Sequence, residues 1–393
     1  VIKNAEIVRA RIHPAIGIAR VGNGSDYFYG PELPYANTNS AVRRDPKGRL
    51  NRQVARFRIY GLNSRGDIVT ELNPADSGIQ VVWTVHVANR KASWYEFLIA
   101  LDCPEAACID SPMRNAKVHG KSREKLDIDP GVKVIRGINE GPVPLCGCFL
   151  DLPVVLGELR TDGAGRLLVI PGRGVSGPAL PEFKLAVERH YLGSNDGWFD
   201  DVCDGPVSAS VKLRGRVIPV EAAWVVTAPP NYCPDITPVV TMFDVVTETV
   251  AGIFSGGTGR PSFARDIYPI FLRLSAGQWV NKGLLETFGH GSPNDFTLRE
   301  LSVQLADAGD RSAPLRQRIF AMFRDPESTT FQSELWPPIY GDSFGFDNAG
   351  LRARLALTKT MYRCLRSWTD GDFEADFDQP QSVPTCLEDL PLQ

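Results

Sequence analysis

Residues 194–211 read Ser-Asn-Asp-Gly-Trp-Phe-Asp-Asp-Val-Cys-Asp-Gly-Pro-Val-Ser-Ala-Ser-Val. The stretch gathers Asp196, Asp200, Asp201 and Asp204 with Trp198 and Phe199 around two glycines and a proline. Asp-Gly at 196–197 and Asp-Gly-Pro at 204–206 are turn chemistry, because glycine supplies positive φ and aspartate bonds its own backbone. Val207, Ala209, Val211 and Leu213 then alternate with Ser208, Ser210, Lys212 and Arg214, the period of a half-buried strand. An acidic, aromatic loop fixed to a strand suits a binding site on a rigid scaffold. The plainer reading is a solvated turn whose aspartates cap backbone N–H groups. Clustered carboxylates could also hold a hard cation, but the spacing matches no calcium loop.

The same turn-and-strand unit recurs upstream. Residues 54–62 put Ala55, Phe57 and Ile59 on one face and Arg56 and Arg58 on the other, and residues 68–72 return as a hairpin after a glycine-containing loop. Strands are expected at 81–87, 132–136, 154–159 and 166–170, and at 217–220 and 222–227 beyond the opening stretch. Residues 9–23 read as an N-terminal strand with Ile12, Ile16, Ile18 and Val21 as core positions. His13 is held extended by Pro14 and reads as structural. Residues 88–101 look helical or irregular, and 103–130 a surface excursion. The glycines of 172–177 precede Pro178 rather than a helix, so they form no dinucleotide fingerprint.

After residue 230 the period changes. Segments 239–250, 263–274, 298–305 and 315–323 are helix candidates. Residues 351–368 are the clearest, with Leu357, Met361, Leu365 and Trp368 on one stripe. Residues 370–390 are acidic and poorly patterned, with no ordered terminal element expected. The fold class is therefore α+β: a β-rich, mainly antiparallel N-terminal two-thirds (domain 1–230) followed by a mainly helical region (231–393).

Composition agrees with this. Glycine (36) and proline (30) favour turns and short strands, and 393 residues exceed one small core. A net charge of −3 gives no electrostatic argument for nucleic acid or an anionic membrane. No apolar run is long enough to span a bilayer, so a soluble protein, cytoplasmic or secreted, is expected. The eight cysteines are too dispersed for a disulfide scaffold. Cys146-Gly-Cys148 matches no zinc pair, and no metal site is expected. Cys103 and Cys108 are either buried thiols or a local disulfide.

Several segments together resemble the lysine ε-oxidase/glycine oxidase group of cysteine tryptophylquinone enzymes. They include Ile12-His-Pro-Ala-Ile-Gly-Ile-Ala-Arg-Val-Gly22, Ala55-Arg-Phe-Arg-Ile-Tyr-Gly61, Trp83-Thr-Val-His-Val-Ala-Asn89 and Leu156-Gly-Glu-Leu-Arg-Thr-Asp162. The series continues with Gly165-Arg-Leu-Leu-Val-Ile170, Asn195-Asp-Gly-Trp-Phe-Asp-Asp201, Asp204-Gly-Pro206, Val226-Thr-Ala-Pro-Pro230 and Tyr340-Gly-Asp342. The order of these segments, across nearly the whole chain, is what makes the match specific.

The resemblance implies an amino-acid oxidase that deaminates an amine with O2 and releases H2O2 and ammonia. Its quinone is made from a tryptophan joined by a thioether to a cysteine, and a flavoprotein assists maturation. In that family the quinone-forming pair follows the region of the 351–368 helix. The cofactor-bearing segment is therefore expected on another chain, in a hetero-oligomer or a homo-oligomer. The sequence-close pairs Cys203/Trp198, Cys233/Trp224 and Cys364/Trp368 read as ordinary packing. Candidate catalytic residues are Asp196, Asp200 and Asp201, as carboxylates near a carbon acid, and candidate cofactor-binding residues are Trp198 and Trp336. The rival reading is a non-catalytic β-rich binding or assembly subunit that keeps the family fold. A hydrolase or metal enzyme ranks last, without a nucleophile elbow or a ligand cluster.

Overall fold

The computed structural model describes residues 6–32, 42–95, 112–179, 195–233, 236–253, 259–328, 335–336, 356–378 and 387. The strands up to the opening stretch are β1 (Arg9–His13), β2 (Ile16–Arg20), β3 (Tyr27–Tyr29), β4 (Arg52–Leu62), β5 (Ile68–Glu71), β6 (Ile79–Val85), β7 (Lys133–Arg136), β8 (Val143–Phe149), β9 (Leu152–Thr161), β10 (Leu167–Pro171) and β11 (Ser176–Pro178). They continue as β12 (Trp198–Asp200), β13 (Cys203–Leu213), β14 (Arg216–Ile218), β15 (Val220–Glu221) and β16 (Ala223–Ala228). The helices are α1 (Met242–Ile253), α2 (Tyr268–Ala276), α3 (Lys282–Phe288), α4 (Arg299–Leu305), α5 (Ala313–Phe320) and α6 (Lys359–Thr369). The expected α+β class, sheet first and helices after, is what the chain adopts. The described residues fall into two compact units, one up to Tyr232 together with residue 387 and the other from Cys233 to 378.

In the first unit one 14-stranded sheet runs β7-β6-β13-β16-β2-β4-β10-β9-β8. Its pairs are antiparallel except β1–β15, β2–β16 and β3–β4. Strand β4 is the hub, pairing with β1, β2, β3, β5 and β10. Its alternation explains why: Ala55, Phe57 and Ile59 enter the core with Trp83, Val85, Leu156, Leu159, Leu167 and Val207. The β4–β5 hairpin forms as expected, with a bulge at Gly61/Leu62.

The first unit departs from the sequence reading at three points. Residues 9–23 form two strands, and β2 is turned over. Gly17 and Ala19 face the core, while Ile16 is 47% exposed. The small residues win because β2 lies directly over Phe57: a Cβ on Gly17 would stand 2.3 Å from that ring. Strand β8 was not foreseen, since Pro142, Pro144 and Cys-Gly-Cys resemble a loop, yet Leu145 and Phe149 anchor it. Residues 112–130 are no surface excursion, for Arg114, Asn115, Leu126 and Ile128 are buried. Cys103 and Cys108 lie outside the described residues.

The second unit packs around Phe263, Phe271, Phe288, Phe296 and Trp368. The stripe Leu357, Met361, Leu365 and Trp368 is buried along its length, and Thr358 caps α6 by accepting from Met361 N–H. Residues 370–378 are ordered, contrary to expectation. Phe373 is in the core, and the Asp376 carboxylate accepts from Ser262 Oγ (2.6 Å) and Ala264 N (2.9 Å). Among the described residues no helix is long and apolar enough to cross a membrane.

Candidate functional site

The aspartate loop is ordered, and each of its three candidate carboxylates has a partner. Asp196 Oδ1 accepts from the backbone N–H of Asn115 at 2.7 Å, and Asn115 Oδ1 accepts from Gly197 N–H at 2.6 Å. Asn115 is in the left-handed region (φ 50°), as is Gly197 (φ 66°). Both are residue types that tolerate it. Asp200 Oδ1 accepts from Asn89 Nδ2 (2.8 Å) and Val202 N (3.2 Å), and its Oδ2 is paired with Lys91 Nζ. Asp201, 2% exposed, accepts from Gly174 N–H at 2.9 Å and so fastens the glycine loop of 172–175. Burial raises the Asp201 carboxyl above the usual range, against the downward pull of the N–H groups of Val175, Gly174 and Arg173.

The aromatic residues complete this assembly. Strand β12 pairs with β11, and Phe199 lies against Phe149 with ring centroids 5.9 Å apart. Arg114 is buried beneath and donates to the carbonyls of Asn195 and Trp198, both at 3.4 Å. The space left among Asn89, Lys91, Arg114, Trp198, Phe199 and Asp200 is about 10 Å3, room for one water rather than a substrate. The structure thus brings Asp196, Trp198, Asp200 and Asp201 together. Trp336 lies in the second unit, its ring edge-on to Phe288 at 4.8 Å.

A larger cavity, about 280 Å3, opens in the first unit. Ile16, Ile18 and Arg20 reach it from β2, Gln53 and Arg56 from β4, and Glu32 from the loop after β3. Glu32 is clamped by two guanidiniums. Arg56 donates to it at 2.9 and 2.6 Å, and Arg58 at 3.0 and 2.7 Å. Burial alone would raise the Glu32 carboxyl, but these bonds and charges outweigh it and hold the group at about 2. Arg56 also stands 4.6 Å over the Tyr29 ring. Next to the cavity, burial lowers His13 below the ordinary histidine value, so it is neutral at pH 7. Sequence reasoning missed this site because it assigned the outward residues of β2 to the core. The available signal was Arg20 itself, a charge on the same alternation as Ile16 and Ile18.

A tryptophylquinone requires a cysteine sulfur bonded to an indole, in a dry pocket with room for an amine and donors for the quinone oxygens. The seven tryptophans do not fit it. Trp83 and Trp368 are fully buried, with indole N–H groups donated to Gly165 O (3.0 Å) and Leu305 O (2.8 Å). Trp94, Trp224 and Trp279 are exposed. Trp198 borders the 10 Å3 space, and Trp336 packs against Phe288. Cys203, the nearest cysteine in sequence to Trp198, is buried, its thiol pushed up to about 12 by burial and its Sγ 3.5 Å from Thr227 Oγ1. Such a thiol is inert.

Comparison with known proteins agrees with the fold. L-lysine 6-oxidase of Marinomonas mediterranea is 30% identical over 435 aligned positions, covering 93% of this chain and 58% of that protein. The solved ε-lysine oxidase of that organism superposes with a TM-score of 0.72 at 24% identity, over 93% of this chain and 61% of the other. A second structure, a Schiff base intermediate of that L-Lys ε-oxidase with L-Lys, gives 0.71 at 25% identity, with the same coverage. The chain spans about three-fifths of the length of these relatives. The profile of the L-lysine epsilon oxidase N-terminal family matches residues 13–227. With more than half of its length so matched, this chain belongs to the L-lysine epsilon oxidase N-terminal family.

Proposed function

We propose that this chain is the N-terminal portion of an amino-acid oxidase that carries out the net reaction RCH2NH2 + O2 + H2O → RCHO + NH3 + H2O2. The observation that carries this reading is the family match over 13–227 within a fold likeness covering 93% of the chain. The redox group is a cysteine tryptophylquinone, which supplies the electrophilic carbonyl and accepts the electrons. Its cysteine and tryptophan lie outside these 393 residues, in keeping with the poor fit of the tryptophans described here, and a flavoprotein assists its maturation. The chain contributes scaffold and pocket wall, as a β-rich domain (1–230) and a mainly helical region (231–393). Asp196, Asp200 and Asp201 serve as positioning residues, because each already accepts a hydrogen bond that holds the loop to a neighbouring segment.

The test is release of H2O2 and ammonia by the native protein with a panel of amino acids, glycine and L-lysine first. Equal amounts of the two products, matched by O2 uptake, are expected. A native protein that turns over no amino acid overturns the reading in favour of a non-catalytic subunit with the family fold.

A further inference from the structure

Arg20 stands apart from the other arginines around the 280 Å3 cavity. Arg56 and Arg58 are neutralised by Glu32, and Arg58 is also 3.6 Å from Glu71. Arg20, only partly exposed, has among the described residues one hydrogen bond, from Nη1 to Pro229 O at 3.0 Å, and no carboxylate beside it. The only influence that moves its guanidinium is burial, which lowers it. A cation taken partly out of water without a counter-ion is held at a cost, and here it borders a cavity.

We infer that this cavity is a binding site for a small monocarboxylate, with Arg20 as its anion-recognising residue. Three features set the ligand class. The guanidinium fork matches a carboxylate in bidentate geometry. Glu32 offers nothing to an ammonium group, since four N–H donors already converge on its two oxygens, and its ionised charge would repel the second charge of a dianion. Apart from Gln53 and Asn231 the rest of the lining is short and apolar, from Pro14, Ile16, Ile18, Pro31, Val54 and Ala55. Its volume lies near the lower end of small-molecule sites, about 300 Å3. Gln53 is held in place by donating Nε2 to Ile18 O at 3.0 Å. Only the naming of that carboxylate as an amino acid's rests on the oxidase reading.

The test is calorimetric titration of the full chain with propionate, glycine and glycinamide. Propionate and glycine bind, and glycinamide, which lacks the anion, binds at least about tenfold more weakly. Arg20→Gln weakens propionate by roughly ten- to hundredfold, the worth of a charge-assisted hydrogen bond, while the exposed Arg65→Gln leaves it unchanged. Should Arg20→Gln fail to fold, Ile18→Trp, which fills the cavity and keeps the charge, abolishes binding instead. No binding by wild type, equal binding of glycinamide, or undiminished binding by a folded Arg20→Gln or Ile18→Trp overturns the site. Arg20-dependent propionate binding in a protein that releases no H2O2 overturns the oxidase reading and leaves the site standing. H2O2 release with Arg20-independent binding does the reverse.

Discussion

Asp196 and Asn115 hold each other from both sides. The Asp196 carboxylate receives the Asn115 backbone N–H, and the Asn115 side chain receives the N–H of Gly197, the residue after Asp196. Asn115 in turn donates Nδ2 to Ala92 O at 2.9 Å, so three separate segments meet at one buried amide. An aspartate used in this way orders the loop. Asp196→Ala leaves the Asn115 N–H without its acceptor and is expected to lower stability by about 1–3 kcal/mol in urea unfolding. Asp196→Asn, which keeps an acceptor oxygen, is expected to lose about 1 kcal/mol or less. A stable Asp196→Ala protein with turnover reduced by orders of magnitude would instead make Asp196 a catalyst.

Glu32 has a pH signature set by its two arginines. Its carboxyl falls from 4.5 to about 2 on folding, so its contribution is complete above the unfolded value. It is lost as pH falls from about 4.5 towards about 2. Two and a half units correspond to about 3 kcal/mol, and Glu32→Gln is expected to lose about that amount at pH 7. The difference between wild type and variant should shrink as pH is lowered through this window. A difference that stays constant with pH would show that the Arg56–Glu32–Arg58 clamp contributes packing rather than charge.

Asp201 titrates in the opposite sense. Burial raises its carboxyl, so the folded state binds the proton more tightly, and stability falls as pH rises from the ordinary aspartate value through the raised one. Asp201→Asn should flatten that slope in stability measured from pH 3 to 7. A Cβ at Gly172 would lie 2.3 Å from Asp201 Oδ2. Gly172→Ala is therefore expected to cost about 1–3 kcal/mol by crowding, and an unchanged melting temperature would refute the contact.

Strand periodicity made most of the sheet legible, because Ala55, Phe57 and Ile59 or Val207 and Val211 can satisfy their burial in only one register. The helix α6 was legible for the same reason, through Met361, Leu365 and Trp368, although Leu357, expected on the same helix, lies ahead of the cap Thr358. Strand β2 was not, since the pattern Ile-Gly-Ile-Ala-Arg carries its large residues on the open side. Only the position of Phe57, far along the chain, decides which face is core. Strand β8 was hidden by proline and glycine, which propensity assigns to loops and which tertiary pairing with β9 overrode. The aspartate loop was recognisable as a turn leading into a strand, from its Asp-Gly pairs and the alternation after them. Its partners Asn89, Lys91 and Asn115 stand about 80 to 110 residues away, and no local pattern points to them.

A chain that scaffolds an amino-acid oxidase whose quinone is formed elsewhere should carry no quinone of its own. Peptide mapping by mass spectrometry of the native, quinone-staining material tests it most directly. All seven tryptophans of this chain are expected in peptides of unmodified mass, and the cross-linked cysteine–tryptophan peptide is expected to map outside these 393 residues. A thioether-linked peptide containing Trp198, Trp224 or Trp368 would contradict it.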